Sequence, residues 1–243
     1  MKLTRLLALA ALALPVYSQT TDNANMWFVY NGDHPIAKSK WGAHLEGHWR
    51  RSDFGLKWQQ LLLRPAVNYQ LSKNIGLSGG YTFLQTRPWG EFPNPGTFHE
   101  HRIHEQITYN RRTWKLDFSH RVRLEQRYMG VLAKQVDGSY AMNSFRYQNR
   151  IRYQGRTQIP LKKLGDGKNY VALSDEIFFN FGKNVDRNVF DQNRAMISLG
   201  RDIGHQTRAE IGFMEQTLQR RGGQIFEHNH TLQFTINSRI PIF

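Results

Sequence analysis

The chain has 243 residues, with 33 Lys and Arg against 19 Asp and Glu, a formal charge of +14 and no cysteine. Its mean hydropathy of −0.61 is polar, yet 13% of its residues are aromatic. The missing cysteines exclude a disulfide-stapled fold, and no apolar run approaches the ~20 residues a membrane helix needs.

The first eighteen residues, MKLTRLLALAALALPVYS, have the layout of a secretory signal. Lys2 and Arg5 make the positive start, Leu6 to Val16 the apolar run, and Val16-Tyr17-Ser18 a small-x-small cleavage site. Cleavage is expected after Ser18. It leaves one domain over residues 19–243 and lowers the formal charge to +12.

From there the chain alternates. A two-residue period marks a strand with two unlike faces. NMWFVYNG (25–32) is not placed by its pattern: it lengthens the first strand or adds a pair. In 40–50, Trp41, Ala43, Leu45 and Trp49 oppose His44, Glu46, His48 and Arg50. In 60–69, Leu61, Leu63, Val67 and Tyr69 oppose Gln60, Arg64 and Asn68. Residues 75–83 and 99–110 continue, the latter setting Ile103, Ile107 and Tyr109 against Glu100, Arg102, His104 and Gln106. In 114–127, Phe118, Val122 and Leu124 oppose Asp117, Arg121, Arg123, Glu125 and Arg127. Residues 144–156 set Phe145, Tyr147, Ile151 and Tyr153 against Arg146, Gln148, Arg150, Arg152 and Arg156. In 170–181, Val171, Leu173, Ile177 and Phe179 oppose Ser174, Glu176 and Asn180. Segments 190–201, 207–217 and 227–237 follow more loosely.

Ten such segments, most about 10–14 residues long, suit strands that cross a bilayer at a tilt, where ~9–11 residues are needed. The expected fold is therefore all-β: an antiparallel transmembrane β-barrel of about ten strands, twelve being the alternative. Turns are expected at 71–74, 111–112 and 202–205, and longer loops at 86–98, 128–143, 182–188 and 219–226. The 157–168 connection breaks this short-long alternation. With both chain ends in the periplasm, the 40–50 strand would run outward and the longer loops would lie outside.

The charged faces carry twelve arginines: Arg50, Arg64, Arg102, Arg121, Arg123, Arg127, Arg146, Arg150, Arg152, Arg156, Arg194 and Arg208. An Arg facing lipid at mid-depth costs roughly 2–4 kcal/mol. Twelve such costs exceed the ~5–15 kcal/mol net stability of a typical protein, so these faces must point into the barrel. A soluble exported sandwich with its charges in water is the competing reading. Strand length, aromatics near strand ends and the use of 22 Arg against 11 Lys favour the barrel, because a crowded lumen suits a planar guanidinium that forks onto carboxylates.

Glu46, Glu100, Asp117, Glu125, Glu176 and Glu210 share the charged phase, leaving an arginine surplus. The lumen network is expected to comprise Arg64, Glu100, Arg102, Gln106, Arg121, Arg123, Glu125, Arg127, Arg150, Arg152, Glu176, Asn180 and Arg194. Glu105 and Asp175 fall on the lipid phase, where a bulge, or a strand shifted toward one headgroup layer, is expected to absorb each. Phe243 supplies a terminal aromatic, but out of phase with Leu232, Phe234 and Ile236.

WGAHLEGHWR (41–50), QLLLRPAVNYQL (60–71), LSGGYTF (77–83), HEHRIHEQ (99–106), RVRLEQR (121–127), RIRY (150–153), DEIFFN (175–180) and DQNRAMISLG (191–200) stand in an order that resembles a bacterial family of unknown function. The resemblance implies an exported outer-membrane-type barrel. Arg64, Glu100, Gln106, Arg123, Glu125, Glu176, Asn180 and Arg194 match its recurring polar positions.

Chemistry motifs are thin. His99 with His101, and His228 with His230, share strand faces, but no third metal ligand can be assigned. Ser119 and His120 are neighbours on a strand and point to opposite faces, so they cannot pair as nucleophile and base. The sequence thus leads to no catalytic residue, metal or cofactor. The expected partners are outer-membrane lipid or lipopolysaccharide and, during biogenesis, the barrel-insertion machinery; nucleic acid is not among them. A small anion or solute channel and a lipid-modifying barrel enzyme are the alternative functions.

Overall fold

The structure, a computed structural model, describes residues 19–114, 116–161 and 168–242. The expected signal segment 1–18, residues 162–167 of one connection, and Phe243 lie outside the described residues. The described chain forms eleven strands: β1 Gln19–Pro35, β2 Trp41–Ser52, β3 Lys57–Gln70, β4 Ile75–Thr86, β5 Phe98–Thr113, β6 Leu116–Lys134, β7 Tyr140–Pro160, β8 Asn169–Phe181, β9 Phe190–Gly204, β10 Thr207–Gln219 and β11 Ile225–Ser238. Each pairs with its neighbours in sequence, and β1 pairs with β11, so the sheet closes and leaves no open edge.

The count of eleven lies between the expected ten or so and the alternative twelve. The unplaced 25–32 stretch is the centre of β1, a strand of its own. An odd number of up-and-down strands sends the last one the same way as the first. The β1–β11 junction is accordingly parallel, from Gln19 opposite Ile225 to Gly32 opposite Ser238, while the other junctions are antiparallel. For the same reason Gln19 and Ile242 lie at opposite mouths, which removes the premise that both ends share one side.

Side chains on both faces hold the seam. Inside, Asn25 Nδ2 donates to Asn229 Oδ1 at 3.4 Å and Asn31 Nδ2 to Asn237 Oδ1 at 3.1 Å. Outside, Phe28 stacks on Phe234 with ring centroids 5.4 Å apart and 11° between planes.

One mouth carries the connections 53–56, 87–97, 135–139, 182–189 and 220–224; the other carries 36–40, 71–74 and 205–206, together with the end of β5 and start of β6 and the end of β7 and start of β8. Residues 111–112, expected as a turn, still belong to β5, and the chain leaves that strand at Trp114, in the left-handed region (φ 57). The loop expected over 128–143 shrinks to 135–139, because β6 and β7 stay paired as far as Lys134 opposite Tyr140. The stretches MGVLAK and YAMNS have no polar-apolar alternation, which hid this extension. His205 and Gln206, both at positive φ (48 and 54), make a two-residue hairpin turn whose twist matches the flanking strands.

The outward face is apolar. Leu45, Leu63, Val67, Ile103, Ile107, Ile151, Leu173, Ile197 and Ile211 are exposed along its middle. Aromatic side chains ring both ends, with Trp41 against Tyr69 near the short-turn mouth and Trp49 against Trp58 near the other. Trp41 and Trp49 share β2, eight residue steps apart; at ~3.3 Å per step and a tilt of ~40° that is roughly 20 Å between belts.

Glu105 and Asp175 remain on this outer face, and no bulge absorbs them. Instead each carboxylate accepts an amide from the adjoining strand, Gln126 Nε2 at 3.1 Å and Asn193 Nδ2 at 3.0 Å.

Gly200 on β9 faces inward beneath the Tyr170 ring: a Cβ there would stand 2.2 Å from Tyr170 Cζ. Tyr170 in turn donates from Oη to Glu210 Oε1 at 2.8 Å. Gly200→Val is therefore expected to push the ring off its hydrogen bond and cost about 1–3 kcal/mol, read as a lower urea midpoint of the refolded barrel. Gly204→Val, where a turn glycine at φ 90 has nothing within 4 Å, tests the contrast between crowding and backbone strain.

Candidate functional site

Among the described residues, the lumen is where the chain gathers many buried charged groups. Strand alternation puts them there: Arg121, Arg123, Glu125 and Arg127 follow one another on the inner face of β6, and Arg146, Arg150, Arg152 and Arg156 do so on β7. A cavity of about 1640 Å³ is lined by residues of both mouths, from Lys40 and Lys73 to Trp89 and Pro95.

Glu125 is the hub. Its Oε2 accepts from Arg150 Nε at 2.8 Å and Nη2 at 2.5 Å, and its Oε1 from Arg152 Nη1 at 2.7 Å. Arg64, Arg102 and Arg123 each bring a terminal nitrogen to 4.0 Å. Five guanidiniums thus surround one carboxylate that is 0% exposed. Glu100 forks onto Arg102 (Nε 2.8 Å) and Arg127 (Nε 2.5 Å). Glu176 accepts from Arg121 Nη2 and Arg152 Nη2, each at 2.8 Å. Asn180 accepts from Arg127 Nη1 at 3.3 Å and donates to Asp191 at 3.1 Å.

The other expected members are held by neutral groups. Arg123 Nε donates to Gln106 Oε1 at 2.8 Å, and Arg194 Nε to Gln192 Oε1 at 3.2 Å. Arg64 bridges the two kinds, pairing with Glu46 at 2.5 Å and donating from Nε to Thr82 Oγ1 at 2.9 Å. All thirteen expected network residues thus point into the barrel, from β3 and from β5 to β9.

Several participants went unrecognised in the sequence. Asp191 takes Arg150 Nη1 at 2.6 Å, and Glu227 takes Arg220 Nε at 2.5 Å. Asp117 does not join the network; it sits at the short-turn mouth with Arg112 at 3.4 Å. Besides Tyr170, the rings of Phe178 and Trp27 also lie inside. Phe178, 0% exposed, has the guanidiniums of Arg152, Arg194 and Arg150 at 4.4, 5.0 and 5.1 Å from its centroid. Trp27 donates from Nε1 to Gln59 Oε1 at 2.9 Å and carries Arg50 at 3.9 Å over its ring. Phe178 was detectable as the middle of the run Ile177-Phe178-Phe179, since alternation must send one of three inward. For Gln59 there was no signal: it turns inward beside Gln60 because the β2–β3 register slips between Arg50 and Arg51.

The two halves of the lumen differ. Toward the short turns, the side chains of Arg121 and Arg156 are 23% and 22% exposed, so water enters. At mid-depth, Arg64 and Arg123 are 2% exposed. At the far mouth the 87–97 connection folds across the opening. Arg220 Nη2 donates to Phe92 O at 2.7 Å from one side, and Gly96 packs on Tyr140 from another.

Outside the lumen, Ser119 lines the cavity while His120 faces outward and bonds Tyr153 Oη at 2.8 Å. His230 lies on the outer surface between Glu215 (2.6 Å) and Asp22 (3.1 Å). Among the described residues no three His, Cys, Asp or Glu side chains converge at metal-ligand spacing.

Comparison with known proteins gives three findings. A family model described as "Protein of unknown function (DUF2490)" matches residues 24–227. A protein of Methylorubrum extorquens, itself uncharacterised, is 27% identical over 190 residues, covering 73% of this chain and 71% of its own. Among solved structures, the NanC porin is similar over 82% of this chain and 91% of its own, at 13% identity and a TM-score of 0.45.

Proposed function

We propose, from the premise that this chain belongs to the DUF2490 family, that it is an outer-membrane barrel closed at mid-depth, acting in the envelope as a structural or interaction element rather than as an open pore. One observation carries the reading: the inner face holds a water-excluded guanidinium–carboxylate network while the outer face is an apolar band between two aromatic belts. A lipid bilayer is the solvent that rewards this inversion, since it tolerates rings and branched side chains and penalises charge. Outer-membrane lipid or lipopolysaccharide would cover that band, and the barrel-insertion machinery would seat it after export. The short turns would face the periplasm and the longer connections the exterior.

The closed lumen also explains the cost structure. Buried ion pairs add little net stability, but breaking one leaves a charge stranded, so the network resists the loss of any member and keeps the cylinder from flattening.

Two measurements test this. In membrane fractions the unboiled protein should migrate faster than the boiled form, and the purified barrel should seal planar bilayers without stepwise conductance. A chain recovered in a detergent-free periplasmic extract would overturn the membrane reading. Regular conductance steps would favour a small-solute channel, the reading to which the cavity lined from both mouths lends support.

A further inference from the structure

The buried arginines fall into two classes. Arg102, Arg127, Arg150 and Arg152 are neutralised by carboxylates within 3 Å. Arg50 and Arg194 are not. Arg50 Nη1 donates to Gln60 Oε1 at 2.7 Å and Nη2 meets His48 Nδ1 at 3.3 Å. Its Nε is buried without a partner, and the residue is 6% exposed. Arg194 meets only the side-chain amides of Gln192 and Gln216. Both guanidinium carbons lie within 5.2 Å of the Trp27 ring centre, and both residues line the cavity.

Neutral amides orient these two cations, and among the described residues neither has a carboxylate within 4 Å; the charged group that acts most strongly on Arg194 is nevertheless a carboxylate, Glu176. The strongest charged neighbours of Arg50 are themselves cations, Arg194, Arg102 and Arg64, ahead of Glu46. Like charges confined this closely in a low-dielectric interior call for a counter-charge. Elsewhere in the lumen a carboxylate supplies it. Here the place is open: a cavity, a buried orphan N–H, and a second guanidinium that remains partly exposed to the cavity.

We propose that Arg50 and Arg194, over the Trp27 ring, form a binding site for a small oxyanion group of the phosphate, sulfate or carboxylate class. The planar guanidinium suits such a group because it offers parallel N–H donors at the spacing of two oxygens. Gln60, Gln192 and Gln216 hold the donors in place before the ligand arrives, which reduces the ordering cost of binding. The proposal rests on the reading of the chain as a closed, folded barrel.

The test uses inorganic phosphate titrated into the detergent-folded full chain by calorimetry, at constant ionic strength with chloride as the replaced ion. Saturable binding near one phosphate per barrel is expected. Arg194→Gln and Arg50→Gln should each weaken it at least tenfold, and Arg111→Gln, at an exposed rim position, should leave it unchanged. Because Arg194 has no carboxylate partner, its variant should retain the heat-dependent gel shift, which certifies the fold. Absence of saturable binding in folded wild type overturns the site, as does unchanged affinity in folded Arg194→Gln. A chain that binds no phosphate but still shifts on heating sinks only the anion site; a chain that never shifts sinks the barrel reading beneath it.

Discussion

Glu125→Gln is expected to lower the stability of the folded barrel by about 3–5 kcal/mol, the range for removing one partner of a buried ion pair. The amide has almost the same shape, so packing is conserved and charge is the variable. Glu125 is completely buried, and Arg150 and Arg152 both fork onto it. Arg150 would keep Asp191 and Arg152 would keep Glu176, but Arg64, Arg102 and Arg123 would lose the only carboxylate that faces all three at 4.0 Å. The measurement is the urea midpoint of the refolded barrel, with Glu105→Gln as control. Glu105 is exposed on the outer face with a single amide contact, and its change should stay under about 1 kcal/mol. An unaltered midpoint for Glu125→Gln would mean that water already solvates these guanidiniums, and the closed lumen would be wrong.

Ile151→Arg is expected to impair assembly by about 2–4 kcal/mol in lipid, the cost of an arginine at bilayer mid-depth on a barrel exterior. Ile151 is exposed at the centre of β7, opposite Leu124 on one side and Phe179 on the other. Its neighbours Arg150 and Arg152 are arginines already, so what is tested is the face rather than the depth. Gln154→Arg, on the inner face of the same strand beside the open half of the lumen, should be far milder. The readout is the fraction of each variant that shows the fast-migrating folded band after refolding into liposomes. Equal folding of Ile151→Arg and wild type would show that the outer face does not meet lipid.

The extent of the barrel that could be read from the residues follows a physical rule. Wherever one face was charged and the other apolar, as in 117–127 and 144–156, a one-residue slip would exchange the two, so phase was legible without coordinates. The thirteen lumen residues come from such stretches. Where the alternation fades, placement failed. The ends of β6 and β7 are mixed and extend the hairpin beyond its expected loop. β1 reads Met26-Trp27-Phe28-Val29-Tyr30, apolar on both faces, because Trp27 and Val29 pack inside against the network while Phe28 and Tyr30 face out.

The two outer-face carboxylates show a different limit. Glu105 and Asp175 break the alternation, for which a bulge or a strand shifted toward one headgroup layer is the relief expected from sequence. Their relief is an amide on the adjoining strand, and which residues adjoin is a matter of register between strands. The same is true of the arginines: their direction was readable, but their partners were not. Asp191 on β9 is reached by Arg150 from β7, two strands away, and Glu227 on β11 by Arg220 from the connection that leads into its own strand.

The amino-acid order alone determined that this chain makes two-faced strands, that guanidiniums occupy one face and rings the other, and that the charged face must be enclosed. Each of these is local, decided by a two-residue period and the cost of exposing charge to lipid. Only the tertiary structure decided that there are eleven strands, that the first and last meet in parallel, that Glu125 collects five arginines, and that Arg50 and Arg194 are left with none of the carboxylates. These depend on which strands become neighbours and at what register, and closure of the cylinder sets that through contacts between residues as far apart as Asn25 and Asn229.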